Sequence, residues 1–416
     1  MCGEIVEADG NLGEACVNIR GGLVYSWTEE PRGEHVIDVR GTGYKIIPGL
    51  VDLHVHLRGL LLSYKEDEET GTREAARAGI TLVADMPNTK PRLDTPRALA
   101  AKLEALASKS IVDYTVYAAI PRDPSTVDLL ASKPIAGFKV YPQDYGRKAS
   151  LQRAARLATL IVVHPELPEA EGPISLEDPA SRNAHRGCHL EAAAPSLLAP
   201  LLDGAKVHVT HASCTSTVRE AKRLGYTVDV APHHIIYNAR PRGDPCTSRV
   251  NPPLRDNMES HRLAQLIIEG SVDALASDHA PHAWWEKTEP LTCRPGYPWL
   301  GLWPWAARAA LGLTLQELVE LASRRPAEIL GIYPAYGTLT QGARANIAIV
   351  DPDTRWRHTG FHHSKHGLPA HFMLEAKGNV EYTIVGGILV YDGSQTSTNY
   401  KPGVNSVEWS RNNKIP

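Results

Sequence analysis

The stretch from Ile46 to Arg58 holds the first residues able to do chemistry. Pro48-Gly49 marks a turn, and Leu50 to Leu57 then reads as a short buried strand. Side chains alternate across a strand, so His54 and His56 point to one face. Two imidazoles side by side form half of a metal site. Arg58, at the strand's end, could hold an anion beside that metal. The same spacing also fits two buried histidines satisfied by hydrogen bonds. The choice depends on whether other strands bring further ligands.

The elements that would position such ligands show in the rhythm of the chain. From Pro48, short β-branched runs at 50–57, 80–85, 112–118, 135–141, 160–164, 206–211, 227–232 and 272–278 alternate with helix-length amphipathic segments. Eight strands alternating with helices is the pattern of an α/β fold of the (β/α)8 TIM-barrel type. Residues 48–336 are expected to form that barrel as the catalytic domain. The stretch 233–255, rich in Pro, Gly, Arg and Asn, reads as a long loop after a strand. Strand-like runs at 15–19, 22–26, 35–39, 337–339, 346–351 and 380–391 flank the barrel in sequence. Too few lie on either side to form a core alone. Residues 1–47 and 337–416 are therefore expected to pack together as a small β-sandwich domain, with 356–377 as a loop returning towards the barrel.

Composition excludes several classes. In 416 residues, 43% hydrophobic and 22% charged is ordinary for a globular protein. A net charge of -3 with no clustered basic excess argues against a nucleic-acid partner. No apolar run approaches a membrane span. Met1-Cys2-Gly3-Glu4-Ile5 lacks the basic flank and apolar core of a signal peptide, so a cytoplasmic location is expected. Cys2, Cys16, Cys188, Cys214, Cys246 and Cys293 contain no Cys-x-x-Cys pair and are expected to be reduced.

Barrel enzymes carry their chemistry at the C-terminal ends of the strands. Here those ends read His54-Val55-His56-Leu57-Arg58, Met86-Pro87-Asn88-Thr89, Gly137-Phe138-Lys139, His164-Pro165-Glu166, His208-Val209-Thr210-His211 and Ser277-Asp278-His279-Ala280-Pro281-His282. A barrel that was only a core would need no such ligand types. With Asn251-Pro252-Pro253-Leu254-Arg255, these motifs resemble the amidohydrolase superfamily, its cyclic amidohydrolases, and most closely the dihydroorotases of the longer type. The resemblance covers nearly the whole barrel and extends into 337–351.

The resemblance implies a two-metal site, most simply two Zn2+. His54, His56 and Asp278 would bind one ion, His164 and His211 the other, with Lys139, carboxylated by CO2, bridging both. Asp278 would also be the catalytic acid and base. Arg58, Asn88, Arg255 and His282 would contact substrate. His208, three from His211 on a strand, would face away and be structural, and His279 would lie in the core or behind the ligands. The implied reaction is reversible hydrolysis of L-dihydroorotate to N-carbamoyl-L-aspartate in pyrimidine biosynthesis. A homodimer and association with aspartate carbamoyltransferase are implied as possible assemblies. Alternatives are a hydantoinase, dihydropyrimidinase or allantoinase, whose substrates carry no ring carboxylate for Arg58, or a non-catalytic partner of aspartate carbamoyltransferase, which should lack ligands that are all present here. Two loops depart from the family pattern. Gly59-Leu60-Leu61 replaces Glu-Pro-Gly, and Gly296-Tyr297-Pro298-Trp299-Leu300 stands where Gly-Phe-Pro-Gly and an acidic residue are common. The runs at 60–62 and 299–305 could be core, an oligomer contact or a lid.

Overall fold

The computed structural model describes residues 1–157, 160–168, 179–239, 246, 249–288, 293–357, 363–366, 374–397 and 403–413. The chain opens with β1 (Cys2–Glu7), β2 (Gly10–Arg20), β3 (Leu23–Thr28) and β4 (Lys45–Pro48). The parallel strands follow: β5 (Leu50–Val55), β6 (Ile80–Asp85), β7 (Asp113–Ala119), β8 (Gly137–Val140), β9 (Ile161–Val163), β10 (Val207–Val209), β11 (Thr227–Val230) and β12 (Ala274–Leu275). Among the described residues they form one eight-stranded sheet in sequence order. Val55 bridges to His279, and His56 N donates to His279 O at 2.7 Å, bringing the last strand back to the first. The result is a nearly closed TIM-type barrel whose strands are buried on both faces, as their unbroken apolar runs require.

Helices on the outside follow from local sequence. α1 (Glu68–Arg77) starts at Asp67, whose side chain accepts from Glu69 N and Thr70 N. α2 (Pro96–Lys109) starts at Thr95 with proline at its first position. Near the end of the barrel, Trp299, Leu300, Leu302, Trp303 and Trp305 are fully buried, so that run is core. Leu60–Leu62 is instead a short 3-10 turn with Leu61 67% exposed.

After the barrel come β13 (Ile347–Arg357), β14 (Glu375–Val385) and β15 (Ile388–Tyr391). They join the N-terminal strands in one continuous seven-stranded sheet, ordered β15-β14-β13-β4-β1-β2-β3. The antiparallel β4–β13 pair, with Ile46 opposite Ile349, joins the two ends of the chain. Two expected strands are absent. At 35–39 only Asp38 bridges, to Cys2. At 337–339 the buried Glu7 carboxylate takes Leu339 N at 2.6 Å, leaving that amide outside any ladder. In the 356–377 segment, Lys365 Nζ reaches Asp67 at 2.6 Å, while 358–362 and 367–373 lie outside the described residues. The expected 233–255 loop begins as a short helix at His233–Ile236, and 240–245 and 247–248 lie outside the described residues.

The cysteines correct the expectation of reduced thiols. Cys2–Cys16, Cys188–Cys214 and Cys246–Cys293 are disulfides. Their partners are 14, 26 and 47 residues apart, spacings that carry no pairing signal. Cys2 and Cys16 meet because the β1–β2 register sets them opposite each other.

Candidate active site

A cavity of about 240 Å3 opens at the C-terminal ends of the barrel strands. His54, His56, Arg58, Asn88, His164, His211, Asp278 and His282 all line it. They come from five different strand ends, those of β5, β6, β9, β10 and β12, and the barrel alone brings them together.

The tautomers of the first pair follow from their partners. Thr210 donates its hydroxyl proton to Asp229 Oδ2 at 2.9 Å, so at 2.6 Å from His54 Nδ1 it can only accept. His54 therefore carries its proton on Nδ1. His56 Nδ1 lies 2.6 Å from Asn88 Oδ1, an acceptor, so His56 is protonated there too. The two bare Nε2 atoms then face each other at 3.2 Å, and Asp278 Oδ1 lies 3.4 Å from both. Three lone-pair atoms in a buried triangle repel unless a cation sits among them. A tetrahedral ion with bonds of about 2.0–2.1 Å spaces its ligand atoms about 3.3–3.4 Å apart. The triangle fits a metal ion without adjustment.

A second group adjoins it, with the His54 and His211 ring centroids 4.9 Å apart. His164 Nδ1 and His211 Nε2 lie 3.1 Å apart. His164 Nε2 donates to Glu166 Oε2 at 2.8 Å, which leaves Nδ1 bare. Glu166 is held by a two-pronged contact from Arg186, with both bonds at 2.7 Å. Against its burial, Arg186 and His164 hold the Glu166 carboxyl down to about 2, so it stays ionised. Burial pulls His54, His56 and His211 well below the ordinary histidine range, which keeps them neutral, the form that binds metal.

Lys139 is fully buried, and its Nζ has no hydrogen-bond partner among the described residues. Burial lowers it to about 7, opposed by Asp229 and Asp278. An ammonium so placed is costly, whereas a neutral amine is a nucleophile able to take up CO2. Burial also raises Asp278 to about 7, opposed by Lys139 and His164, in the range of a group that both accepts and releases protons.

Backbone strain gathers at this site. Arg58, His211 and Asp278 have φ of 56°, 41° and 49°. Each such non-glycine conformation costs roughly 1–2 kcal/mol and persists where the surroundings impose it. The Arg58 guanidinium is buried, with Nε donating to Pro281 O at 3.2 Å and Nη2 3.1 Å from His282 Nε2. No carboxylate pairs with it among the described residues.

Arg255 does not reach the cavity. It is fully buried behind the wall, with Nη2 on Glu191 Oε2 at 2.7 Å, Nη1 on Asn183 Oδ1 at 2.6 Å and Nε on Ser213 Oγ at 2.9 Å. Every arm of its fork is used, so it has nothing free to offer a substrate. His208 points away to Asp229 at 2.7 Å, and His279 Nδ1 accepts from Trp299 N in the core. Arg186, Tyr141 and Gln143 line the cavity without having been named as candidates, and Asn251 lines it from the 251–255 motif in place of Arg255. Tyr141 had a readable signal, two positions past Lys139 on the same strand face. Arg186 had none, since only the fold sets it against Glu166.

A family model described as the amidohydrolase family matches residues 46–390, most of the chain. A dihydroorotase of Aeropyrum pernix is 45% identical over 369 residues, 85% of this chain and 86% of that protein. One from Saccharolobus solfataricus is 39% identical over 312 residues, 74% and 75% of the two chains. Among solved structures, the L-hydantoinase of Arthrobacter aurescens superposes with a TM-score of 0.85 at 23% identity, covering 96% of this chain and 97% of that one. At that identity the likeness concerns the fold.

Proposed function

The chain belongs to the amidohydrolase family, and from that membership we propose how its cavity works. It is a metal-dependent cyclic amidohydrolase, a dihydroorotase, interconverting L-dihydroorotate and N-carbamoyl-L-aspartate. Its substrates are small molecules, and among the described residues no helix is long and apolar enough to cross a membrane. The roles that follow are our reading of the geometry.

His54, His56 and Asp278 would hold one divalent ion, His164 and His211 a second, and Lys139 as its carbamate would bridge them. The triangle of bare acceptor atoms and the unpartnered Lys139 amine support this set. Zinc suits the mix of imidazole nitrogen and carboxylate oxygen. Bound there, the ions would activate water and polarise the ring carbonyl. Asp278 would take the proton from the attacking water and deliver it to the ring nitrogen as the amide C–N bond breaks. In the reverse direction it returns that proton while the ring closes. Thr210 and Asn88 fix the tautomers of His54 and His56, and Asp229 orients Thr210.

The observation carrying the choice of substrate is Arg58. A buried, uncompensated guanidinium at the cavity wall wants an anion, and dihydroorotate carries a ring carboxylate. Hydantoins and dihydropyrimidines have none. Asn88 and His282, which also line the cavity, would join Arg58 in binding the substrate. Residues 48–336 would be the catalytic domain, with 1–47 and 337–416 appended, in a cytoplasmic enzyme. A homodimer and association with aspartate carbamoyltransferase extend the proposal and are read by sedimentation and co-purification. The deciding experiment follows hydrolysis of dihydroorotate, dihydrouracil and allantoin in parallel by ultraviolet absorbance. Turnover of dihydroorotate alone is expected, and faster turnover of either neutral ring would remove the argument from Arg58.

A further inference from the structure

A buried ion cluster lies behind Arg58 and has no part in the chemistry itself. Lys102, on α2, is fully buried. Its ammonium meets Glu68 Oε1 and Asp85 Oδ2, each at 2.7 Å, and the Arg58 carbonyl oxygen at 3.2 Å. Burial alone would pull the Lys102 ammonium down, and the Asp85 and Glu68 carboxylates outweigh it, holding it above its ordinary value. Asp85, at the end of β6, also accepts from Leu57 N at 2.9 Å. Glu68, at the start of α1, presses against Gly59, where a Cβ would lie 1.9 Å from its Oε1. One cluster, drawn from α1, β6 and α2, thus touches three consecutive residues, Leu57, Arg58 and Gly59.

Those residues enter the most strained turn of the site. Arg58, Gly59 and Leu60 have φ of 56°, 62° and 48° in succession. Two of the three are not glycine, so the turn opposes its own intrinsic preference. Something must hold it. The ammonium on the Arg58 carbonyl holds the peptide group that follows Arg58, and the Asp85 carboxylate on Leu57 N holds the peptide between His56 and Leu57, one residue before the turn. Gly59 leaves the space that Glu68 occupies, so no larger residue fits there without moving that carboxylate.

We infer that Glu68, Lys102 and Asp85 are positioning residues for Arg58, locking its left-handed turn so that the guanidinium stays at the cavity wall and sets affinity for a substrate carboxylate. The inference rests on the reading of Arg58 as the carboxylate's partner. Charged clusters this deep are retained in some proteins because they enforce one arrangement rather than because they add stability.

The test uses Lys102→Gln, Glu68→Gln and Gly59→Ala in the metal-loaded enzyme, with Arg58→Ala alongside. KM and kcat are measured on dihydroorotate, the inhibition constant is measured for orotate (an unreactive ring with the same carboxylate), and metal content is determined per chain. Expected is a parallel rise in KM and in the orotate constant of about tenfold or more in each folded variant. The kcat should hold within about threefold and the metal content should not change. A fall in kcat at unchanged KM, or loss of metal, would place the cluster's influence on the metal centre and overturn the inference. Unchanged KM and orotate binding would overturn it as well. If Lys102→Gln fails to fold, Glu68→Gln and Gly59→Ala decide on the same readouts. A different pattern marks failure of the underlying reading: Arg58→Ala itself would leave KM and orotate binding unchanged.

Discussion

Replacing Arg58 by alanine tests the functional reading most directly. The guanidinium is buried, its recorded polar partners are Pro281 O and His282, and no carboxylate pairs with it among the described residues. A substrate carboxylate would supply two charge-assisted bonds, each contributing about 1.5–3 kcal/mol. Allowing for bonds to Pro281 and His282 that the free protein already makes, a net loss of about 3–4 kcal/mol is expected. At about 1.4 kcal/mol per decade, that lowers kcat/KM for dihydroorotate by about 10²–10³-fold. The metal ligands do not touch the guanidinium, so metal content should match the parent. Thermal stability should hold or rise, because an uncompensated buried charge is removed. Arg58→Lys keeps the charge but loses the planar fork, and should fall between the two. The assay is initial-rate hydrolysis followed by ultraviolet absorbance, with metal analysis on the same samples. A kcat/KM within about threefold of the parent, in a protein that retains its metal, would refute the role given to Arg58.

Three further outcomes are expected. Asp278→Asn should abolish turnover in both directions, measured from dihydroorotate and from N-carbamoyl-L-aspartate; a substantial residual rate would place the proton carrier elsewhere. Chelation should remove activity, and added Zn2+ should restore it at close to two ions per chain by elemental analysis; restoration at one would dismiss the second ion. The third concerns pH and Glu7, which burial raises to about 6 from 4.5, opposed by hydrogen bonds from Leu339 N and Thr338. The fold favours the protonated acid, so this contribution is fully present below about pH 4.5 and lost as pH rises through 6. The difference of 1.5 units (6 − 4.5) is about 2 kcal/mol. Glu7→Gln should therefore be more stable than the parent above pH 6 by up to that amount and equal to it near pH 4, by thermal melting across the range. A gap independent of pH would exclude ionisation of Glu7 as its source.

Much of the site was readable because its signals are local. His54 and His56 share a face through strand alternation alone, and Lys139, His164, His211 and Asp278 each stand at the end of a readable strand. Barrel geometry then carries strand ends to one mouth, so a one-dimensional pattern becomes a three-dimensional cluster. The same logic separated His208 from His211 and set His279 apart from Asp278. It failed for Arg255, whose motif says nothing about Glu191, Asn183 and Ser213 waiting behind the wall. A guanidinium goes where its fork is filled, and those partners lie on segments far apart in sequence.

By itself, then, the sequence determined the barrel, the joining of the two chain ends into one small β-domain, expected as a sandwich and found as a single seven-stranded sheet, and the residue types at the cavity. These follow from periodicity and from residue type at element ends, both short-range properties. Tertiary structure alone decided which histidine nitrogens are bare, which cysteines pair, and which arginine faces the cavity. It also placed the strained turns at Arg58, His211 and Asp278, and the buried Lys102 cluster behind the first of them. Those are pairings between distant segments. Their energies depend on register, burial and close approach, which exist only once the chain has folded.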